Sequence, residues 1–196
     1  MKFFKLHWLD YFPYRHAKIH NRRVLHIGSG KQKFEGASSL DIDKSLSPDI
    51  AWDMNVFPWP INDKSFDDVI AINILEHVED LVLVLNEIHR ILKPSGKLYI
   101  LVPHFTNYAA YVDPTHRQHL SYFSFDYFIS GTSIEKEYGF YVNFRFILKR
   151  RVIMLSGRFL NFILFYFVNT FPLFWEKYFC FIIRGEGLYL ELQREN

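Results

Sequence analysis

The sequence predicts an α/β fold with a mostly parallel sheet flanked by helices, and two observations support this prediction. From Arg22 to His104, short apolar runs typical of buried strands alternate with helical periods or connecting loops. Several of these runs end in a glycine or an acidic residue. Alternating strands and crossovers are typical of parallel sheets, in which ligands bind at the carboxyl ends of the strands. We therefore expect the functional residues where the strands end.

Seven strands are predicted along the chain. In order they lie in "RVLHIG", "SSLDID", "PDIAWD", "SFDDVIAIN", "KLYILVPH", "YVNFRFILKRRVIML" and "GLYLELQRE". The fourth is apolar enough to be a central parallel strand, and the last alternates with a period of two. The residues that end the first five strands are Gly28, Gly30, Asp41, Asp43, Asp53, Asn73 and His104.

One amphipathic helix is predicted between the fourth and fifth strands, within "ILEHVEDLVLVLNEIHRIL". Its apolar residues recur at three- and four-residue spacing, and Pro94 and Gly96 follow as stop signals. Glu76 and His77 are expected in its first turn, where the helix dipole favours an acidic side chain. After the fifth strand, "FTNYAAYVDPTHRQHLSYFSFDYF" predicts a polar, histidine-rich loop followed by an aromatic helix.

Composition limits the class of protein. With 49% hydrophobic and 22% charged residues, the chain is globular, and disordered or fibrous classes are excluded. The single cysteine, Cys180, excludes an intramolecular disulfide and a cysteine-based zinc cluster, and we expect it to be a buried apolar residue. We predict one domain over 1–196, with a basic and aromatic segment at 1–21, a cofactor-binding core at 22–104, and a substrate loop, aromatic insertion and final strands at 105–196.

The charge distribution suggests which partners are favoured. Both ends of the chain are basic and the middle is acidic, although the net charge is only +2. Basic ends favour contact with an anionic surface or a phosphorylated substrate, and a solvated basic face is the equal alternative. An acidic mouth disfavours nucleic acid, so none is expected as a partner. Asp10 and Pro13 interrupt any apolar stretch near the start, so we predict no signal peptide and a cytoplasmic location, including the inner face of the membrane.

The stretch "VLHIGSGKQKF" predicts a strand that enters a glycine turn. Gly28 and Gly30 would expose backbone N–H groups to a ligand, although such turns often only close a strand–helix connection. Asp41 ends the next strand, where a carboxylate can accept both hydroxyls of an adenosine ribose. Asp53 ends the third strand, where it can accept from an adenine amino group. Together these positions predict a site for an adenosine-bearing cofactor.

Several motifs together resemble the class I S-adenosylmethionine-dependent methyltransferases. They are "VLHIGSG", "SLDID", "IAWDMN", "SFDDVIAINILEHVED", "EIHRILKPSGKLYILVPH" and "DPTHRQH", and the match runs from about Arg22 to His119. The resemblance implies a Rossmann-like, mostly parallel seven-stranded sheet flanked by helices. It also implies a shortened first crossover helix and an aromatic helical insertion before the last strand. The chain departs from the family at His26, where an acid is usual, and at Gln32, where a third glycine is usual.

The resemblance implies S-adenosylmethionine as the cofactor and a set of residues that bind it. Gly28 and Gly30 would lie against its amino acid part, Asp41 would bind the ribose, and Asp53 the adenine amino group. A nicotinamide dinucleotide is disfavoured because its fingerprint needs a third glycine and a later acidic residue. The predicted cofactor-binding residues are His26, Gly28, Ser29, Gly30, Asp41, Ile42, Asp53, Met54 and Asn73.

Five residues at or after the end of the fifth strand are candidates for chemistry and acceptor binding. His104 is the best-placed general base, and Asp113 and His116 are the other predicted catalytic residues. His104, Phe105, His116 and His119 are the predicted substrate-binding residues. Histidines with a carboxylate are also common metal ligands. General base or substrate contact, and then structural hydrogen bonding, are favoured over a metal, and no metal is expected.

The aromatic segment 158–183 lies between the last two strands. Its uncharged run between Arg158 and Glu176 is shorter than the roughly 20 residues that a membrane span needs, and it contains asparagines and a proline. It can pack on the sheet, cover an apolar substrate, form a dimer contact, or lie in a membrane interface. The basic run "KRR" at 149–151 favours the interface.

The predicted function is methyl transfer from S-adenosylmethionine to oxygen or nitrogen of a small-molecule, glycan or lipid-linked acceptor. One alternative is a non-catalytic, membrane-associated scaffold with the same fold, which the departures at His26 and Gln32 would favour. The other is a nicotinamide-dependent oxidoreductase, which the missing third glycine disfavours.

Overall fold

The computed structural model describes residues 22–155 and 161–196, and side chains in the second range from residue 163. The predicted basic and aromatic segment 1–21 lies outside the described residues, as does the start of the segment 158–183. Within the described residues the chain forms one seven-stranded sheet with helices, as the sequence predicts.

The strands follow the order β3-β2-β1-β4-β5-β7-β6 across the sheet. Their bounds are β1 Val24–Ile27, β2 Ser38–Asp41, β3 Ile50–Ala51, β4 Phe66–Ile72, β5 Leu92–Pro103, β6 Phe146–Leu155 and β7 Gly185–Arg194. Strands β1 to β5 pair in parallel, whereas β7 runs antiparallel to both of its neighbours. The mostly parallel Rossmann-like sheet is confirmed. Its first four strands end along one edge, where the predicted cofactor site lies.

Helix α1 spans Leu81–Ile91 and begins later than predicted. The carboxylate of Asp80 accepts a hydrogen bond from the Leu83 N–H at 3.0 Å, which caps the first turn. Glu76 and His77 therefore lie in a turn between β4 and α1, and the prediction of a first helical turn there was wrong. The other helices are α2 Ala109–Val112, α3 Ser133–Tyr138, α4 Asn161–Thr170 and α5 Pro172–Tyr178.

The connection between β1 and β2 contains turns but no helix over residues 28–37. The first crossover is thus even shorter than the shortened helix that the sequence predicts. In its place, Phe34 and Ala37 pack against the smaller of two apolar clusters, which contains Val24 and Ile70. These two loop side chains thus bury part of the sheet surface that a crossover helix buries in a full-length connection.

Helices α4 and α5 form the predicted aromatic helical insertion between β6 and β7. Trp175 of α5 is fully buried in the larger core cluster, as are Val168 of α4 and Cys180. The indole N–H of Trp175 donates to the Ile183 carbonyl at 2.9 Å. The insertion is therefore anchored on the sheet by part of its surface. The aromatic helix predicted after the histidine-rich loop is absent, since Asp126–Phe128 forms only a short 3₁₀ turn.

Candidate active site

A cleft of about 190 Å³ lies where the first strands of the sheet end. Its lining residues are Gly28, Asp41, Ile42, Trp52, Asp53, Met54, Asn55, Ile74, His77 and Val78. Five of the nine predicted cofactor-binding residues are in this set: Gly28, Asp41, Ile42, Asp53 and Met54. They come from three successive strand ends, as the strand-end argument predicts.

The glycine turn after β1 has backbone angles that favour glycine. Gly28 has φ of +58° and Gly30 has φ of +50°, both in the left-handed region. A Cβ added to Gly28 would lie 2.2 Å from Cγ1 of Ile74, so the turn packs directly against the β4–α1 connection. A Cβ at Gly30 would meet nothing within 4 Å. Gly28 is thus required for close packing, whereas Gly30 leaves space over the turn.

Asp41 links the glycine turn to the loop after β2. One carboxylate oxygen accepts from the Gly30 N–H at 2.7 Å, and the other accepts from the Asp43 N–H at 2.9 Å. Each carboxylate oxygen has two lone pairs, so one on each oxygen is left for a ligand. Both backbone bonds orient the carboxylate, whose oxygens can accept ribose hydroxyl groups.

The far side of the cleft offers an apolar surface beside a carboxylate. Ile42 lines the cleft and is 65% exposed. Met54 packs at the edge of the core. Oδ1 of Asp53 accepts from the backbone N–H of Asn55 at 2.9 Å, which orients the carboxylate. This combination suits a flat heterocycle that carries an amino group.

Four predicted cofactor-binding residues are absent from the lining of the cleft. Ser29 is buried under the turn, and its N–H donates to the Leu40 carbonyl. Asn73 is exposed and has φ of +49°. The N–H of Gly30 donates to the carboxylate of Asp41, and Gly30 itself does not line the cleft. The fourth, His26, is a core residue.

His26 is buried within β1, with its ring edge-on to Phe34 at 5.0 Å between centroids. Neither ring nitrogen has a hydrogen-bond partner among the described residues. Burial lowers the pKa of His26 to about 4, so the ring is neutral at pH 7.

His104 is fully buried, which does not fit the predicted role of general base. Its Nδ1 accepts from the Thr106 N–H at 3.2 Å, so the neutral ring carries its hydrogen on Nε2. Nε2 then donates to Oε1 of Glu176 at 3.0 Å. The ring also contacts Phe105 and Trp175. Both nitrogens are used internally, and the residue joins β5 to α5.

Phe105 is half-buried against the core before α2, and the loop after α2 carries the other three predicted catalytic and substrate residues. Asp113 is exposed and accepts from both the N–H and the hydroxyl of Thr115. His116 is half-buried, whereas His119 is exposed and stacks on Tyr111 at 4.5 Å. A second cavity of about 530 Å³ opens beside this loop, with Asn55, His77, Glu79, Pro114, Thr115 and Arg117 as its lining. It adjoins the first cleft, because Asn55 and His77 line both.

Glu76, His77 and His116 form a cluster that the sequence analysis did not predict. One carboxylate oxygen and one nitrogen from each ring all lie within 4.8 Å of one another. Burial raises the pKa of Glu76 to about 8. Burial also lowers the pKa of His77. The sequence shows that Glu76 and His77 are adjacent. It does not predict that His116, in a loop about forty residues later, lies beside them.

The insertion α4–α5 and the turn after it expose many large apolar side chains. They are Ile163, Tyr166, Phe171, Leu173, Phe174, Tyr178, Phe181 and Ile182. We call this set the apolar face. None of the helices in the described parts of the chain has the length and hydropathy of a membrane span.

Comparison with known proteins finds a family match in the central region. A model of the methyltransferase domain family matches residues 37–100, which include β2 to β4, α1 and most of β5. An uncharacterised protein of Methanocaldococcus jannaschii is 52% identical over 48 residues, which are 24% of this chain. The match covers 21% of that relative's length.

Two solved structures share the fold over nearly the whole chain. A SAM-dependent methyltransferase from Archaeoglobus fulgidus aligns over 98% of this chain and 94% of its own, with a TM-score of 0.61 and 18% identity. An S-adenosylmethionine-dependent methyltransferase from Mesorhizobium loti aligns over 91% of this chain and 93% of its own, with a TM-score of 0.55 and 13% identity. The model of the methyltransferase domain family thus matches residues 37–100, and the chain as a whole shares the fold of these two S-adenosylmethionine-dependent methyltransferases.

Proposed function

We propose that this protein transfers a methyl group from S-adenosylmethionine to oxygen or nitrogen of a small-molecule, glycan or lipid-linked acceptor. The observation that carries the proposal is the cleft at the strand ends. Within a methyltransferase fold, it places two oriented carboxylates, Asp41 and Asp53, beside a glycine turn and an exposed apolar side chain.

The residues of the cleft fit the cofactor, part by part. The remaining lone pairs of Asp41 would accept the two ribose hydroxyl groups, and Asp53 would accept from the adenine amino group. Ile42 and Met54 would pack on the adenine ring. The backbone of Gly28 and Gly30 would lie along the amino acid part, where the absence of a side chain at Gly30 leaves room.

The bound cofactor supplies a methyl group that is already activated by the sulfonium charge. The chain therefore has to orient the acceptor for in-line approach and keep water out. The cavity of about 530 Å³ has the size of an ordinary small-molecule site and adjoins the cofactor cleft through His77. We propose that the acceptor binds there, between the β4–α1 turn and the loop that carries Asp113 and His116. These two residues, with His77, are the groups available to hold or accept the acceptor's proton.

A calorimetric titration tests the cofactor assignment. The purified protein is titrated with S-adenosylmethionine, S-adenosylhomocysteine and NAD, and the titrations are repeated with Asp41→Asn. We expect the two adenosine sulfur compounds to bind at a single site and NAD to bind at least tenfold more weakly. Asp41→Asn should weaken binding by about 1–3 kcal/mol, because an amide cannot accept both hydroxyl groups as the carboxylate does.

Glu35→Gln is the matched control for Asp41→Asn. Glu35 is an exposed carboxylate of the same β1–β2 connection, and it does not line the cleft. Affinity should be unchanged in this variant. If neither compound binds to the wild type, the non-catalytic scaffold becomes the better proposal. If NAD binds most tightly, a nicotinamide-dependent oxidoreductase becomes the better proposal.

We also propose that the apolar face makes peripheral contact with the inner face of the membrane. Phe181 and Ile182 are 76% and 78% exposed, and large apolar side chains clustered in this way are typical of an interaction surface. The basic run 149–151 offers fewer free charges for lipid headgroups than the sequence suggests. Arg151 is buried and its guanidinium pairs with Asp126 at 2.5 Å, which removes it from any contact with headgroups.

A further inference from the structure

We propose that Glu76, His77 and His116 form a binding site for a divalent transition-metal ion such as Zn²⁺. The three side chains bring one carboxylate oxygen and two imidazole nitrogens within 4.8 Å of one another. Two histidines and one glutamate are a known donor set for zinc that keeps a fourth position open. The cluster lies where the two cavities meet, since His77 lines both.

The hydrogen bonds around His77 leave one of its nitrogens free to be a ligand. The Thr115 hydroxyl donates to the carboxylate of Asp113 at 2.6 Å, because a carboxylate can only accept. The oxygen of the same hydroxyl lies 2.9 Å from Nδ1 of His77 and therefore accepts from it. Nδ1 carries the ring hydrogen, so the lone pair is on Nε2.

His116 is held in the same tautomer by a different partner. Its Nδ1 lies 3.1 Å from the Ala110 carbonyl oxygen, which has no hydrogen to donate. Nδ1 must therefore donate, and Nε2 again has the lone pair. Histidines that ligate metals usually donate their other N–H to a carboxylate or a backbone carbonyl, which fixes the ring orientation. His116 has this arrangement, whereas His77 donates to a hydroxyl that is itself hydrogen-bonded to the carboxylate of Asp113.

Glu76 supplies the third metal ligand, and its buried carboxylate is the strongest indication that the site binds a cation. The residue is 1% exposed, and its Oε2 has no hydrogen-bond partner among the described residues. A buried carboxylate oxygen without a partner is destabilising, so its retention calls for a ligand. A bound cation would satisfy this oxygen and favour the ionised form, which burial otherwise disfavours.

The backbone keeps the three donors together. The carbonyl oxygen of Glu76 accepts from the N–H groups of Arg117 and Gln118, at 2.7 and 3.0 Å. These two bonds hold the loop that carries His116 against the turn that carries Glu76 and His77. The carboxylate of Asp113 lies near both histidines and Glu76, and it adds negative potential for a cation. The site is thus assembled before any ion arrives.

An ion bound here would face the larger cavity with its open coordination position. If the protein methylates an acceptor in that cavity, as we propose above, the ion would take the acceptor's oxygen or nitrogen as an additional ligand and orient it for in-line attack. This role depends on the proposed function, whereas the metal site itself does not.

Metal binding is measured directly, without reference to activity. The protein is treated with EDTA, exchanged into chelator-free buffer and titrated with ZnCl₂ by calorimetry. We expect one saturable site per chain, and a higher thermal unfolding midpoint with Zn²⁺ than without it. Glu76→Gln, His77→Gln and His116→Gln should each weaken binding by more than about tenfold and abolish the thermal shift.

Two further variants separate a built site from general affinity for histidines. His119→Gln removes an exposed histidine of the same loop that lies outside the cluster, so Zn²⁺ binding should be unchanged. Thr115→Val keeps the three ligands but removes the hydroxyl that orients His77, and affinity should fall by about 10–100-fold. Absence of a saturable site in the wild type would overturn the proposal, as would equal weakening by His119→Gln.

A spectroscopic titration with Co²⁺ needs no variant. Coordination by two imidazoles and a carboxylate should give visible absorption bands that Zn²⁺ displaces at one equivalent. Unchanged spectra of aqueous Co²⁺ would contradict the site even if a variant failed to fold. Titration of the same samples with S-adenosylmethionine keeps the two proposals apart, since either ligand can bind while the other does not.

Discussion

The imidazole of His104 donates to the carboxylate of Glu176 across 3.0 Å, and this bond joins strand β5 to helix α5. Oε1 of Glu176 also accepts from the Tyr122 N–H at 2.8 Å, so one oxygen serves two parts of the chain. The position that ends β5 is therefore devoted to holding the aromatic insertion on the sheet.

His104→Ala should lower the free energy of unfolding by about 2–4 kcal/mol, because it leaves a cavity and deprives Glu176 of its donor. Glu176→Gln should cost less than about 1 kcal/mol, because the amide oxygen can still accept from both Nε2 and the Tyr122 N–H. Urea denaturation measures both. The control is His119→Ala, an exposed site where a change within about 0.5 kcal/mol is expected. Normal stability of His104→Ala with a large loss of turnover would instead support His104 as a general base.

Gly28→Ala should be far more destabilising than Gly30→Ala. Both substitutions put alanine at a positive φ, which costs about 1–2 kcal/mol. Only at Gly28 does the new Cβ meet Ile74, at 2.2 Å, which adds about 1–3 kcal/mol of overpacking. The difference between the two variants in urea denaturation isolates the packing term. Gly28→Ala combined with Ile74→Ala should recover part of it, and equal effects of the two single variants would contradict the close approach.

The buried His26 should make stability fall as the medium becomes acidic. Its pKa is about 4 in the folded state, against about 6.5 in the unfolded chain. Between these values the unfolded state binds a proton that the folded state does not, so stability decreases as pH falls from 6.5 to 4 and then levels off. The shift corresponds to a loss of about 3 kcal/mol over that window.

His26→Leu tests this linkage and the missing hydrogen bonds together. An apolar side chain of similar size removes two unpartnered nitrogens, so stability at pH 7 should be unchanged or higher. The advantage of the variant over the wild type should grow as pH falls to 4. Burial also lowers the pKa of His89 to about 4, which gives the wild type and the variant the same additional dependence of stability on pH. The difference in stability between the two proteins therefore reports on His26. Parallel pH profiles would show that His26 is protonated in the folded state.

Replacing Phe181 and Ile182 together by serine should reduce binding to anionic lipid vesicles. Each side chain transferred from water to the interface contributes about 1.5–3 kcal/mol, so the partition coefficient should fall by more than about tenfold. Phe140 and Tyr141 are as exposed but lie outside the apolar face, and their double serine variant is the control. Vesicle sedimentation measures the effect. If wild type and variant sediment equally little, analytical ultracentrifugation of the same proteins distinguishes a dimer contact from a lid.

The sheet was largely predictable because its strands combine apolar runs with polar ends. Asp41 and Asp53 line one cleft, since the ends of neighbouring parallel strands meet at one edge, and their roles in cofactor binding stay predictions. The start of α1 was misplaced because "LEHVED" continues the apolar spacing of the helix. Asp80, which caps the helix, was an available signal.

The side-chain partners were less predictable because they come from distant parts of the chain. His104 ends a strand, as a ligand-binding residue would. Its ring is hydrogen-bonded to Glu176 of the insertion, and no local sequence pattern predicts that contact. The approach of His116 to Glu76 depends on backbone bonds from Arg117 and Gln118 across the sheet edge. Periodicity and spacing describe neighbours along the chain, whereas these pairs are set by tertiary packing.

The position of β7 between β5 and β6 has a consequence for the order of folding. Leu98 pairs with Leu192, and Leu148 pairs with the same residue from the other side, so the last strand joins both of its neighbours to the sheet. Until β7 is in place, β6 and the aromatic helices it leads into have no sheet on which to dock. Contacts this distant along the chain form slowly, and intermediates that expose aromatic surface tend to aggregate. Refolding of this protein should therefore be limited by the arrival of β7 and should lose yield as protein concentration rises.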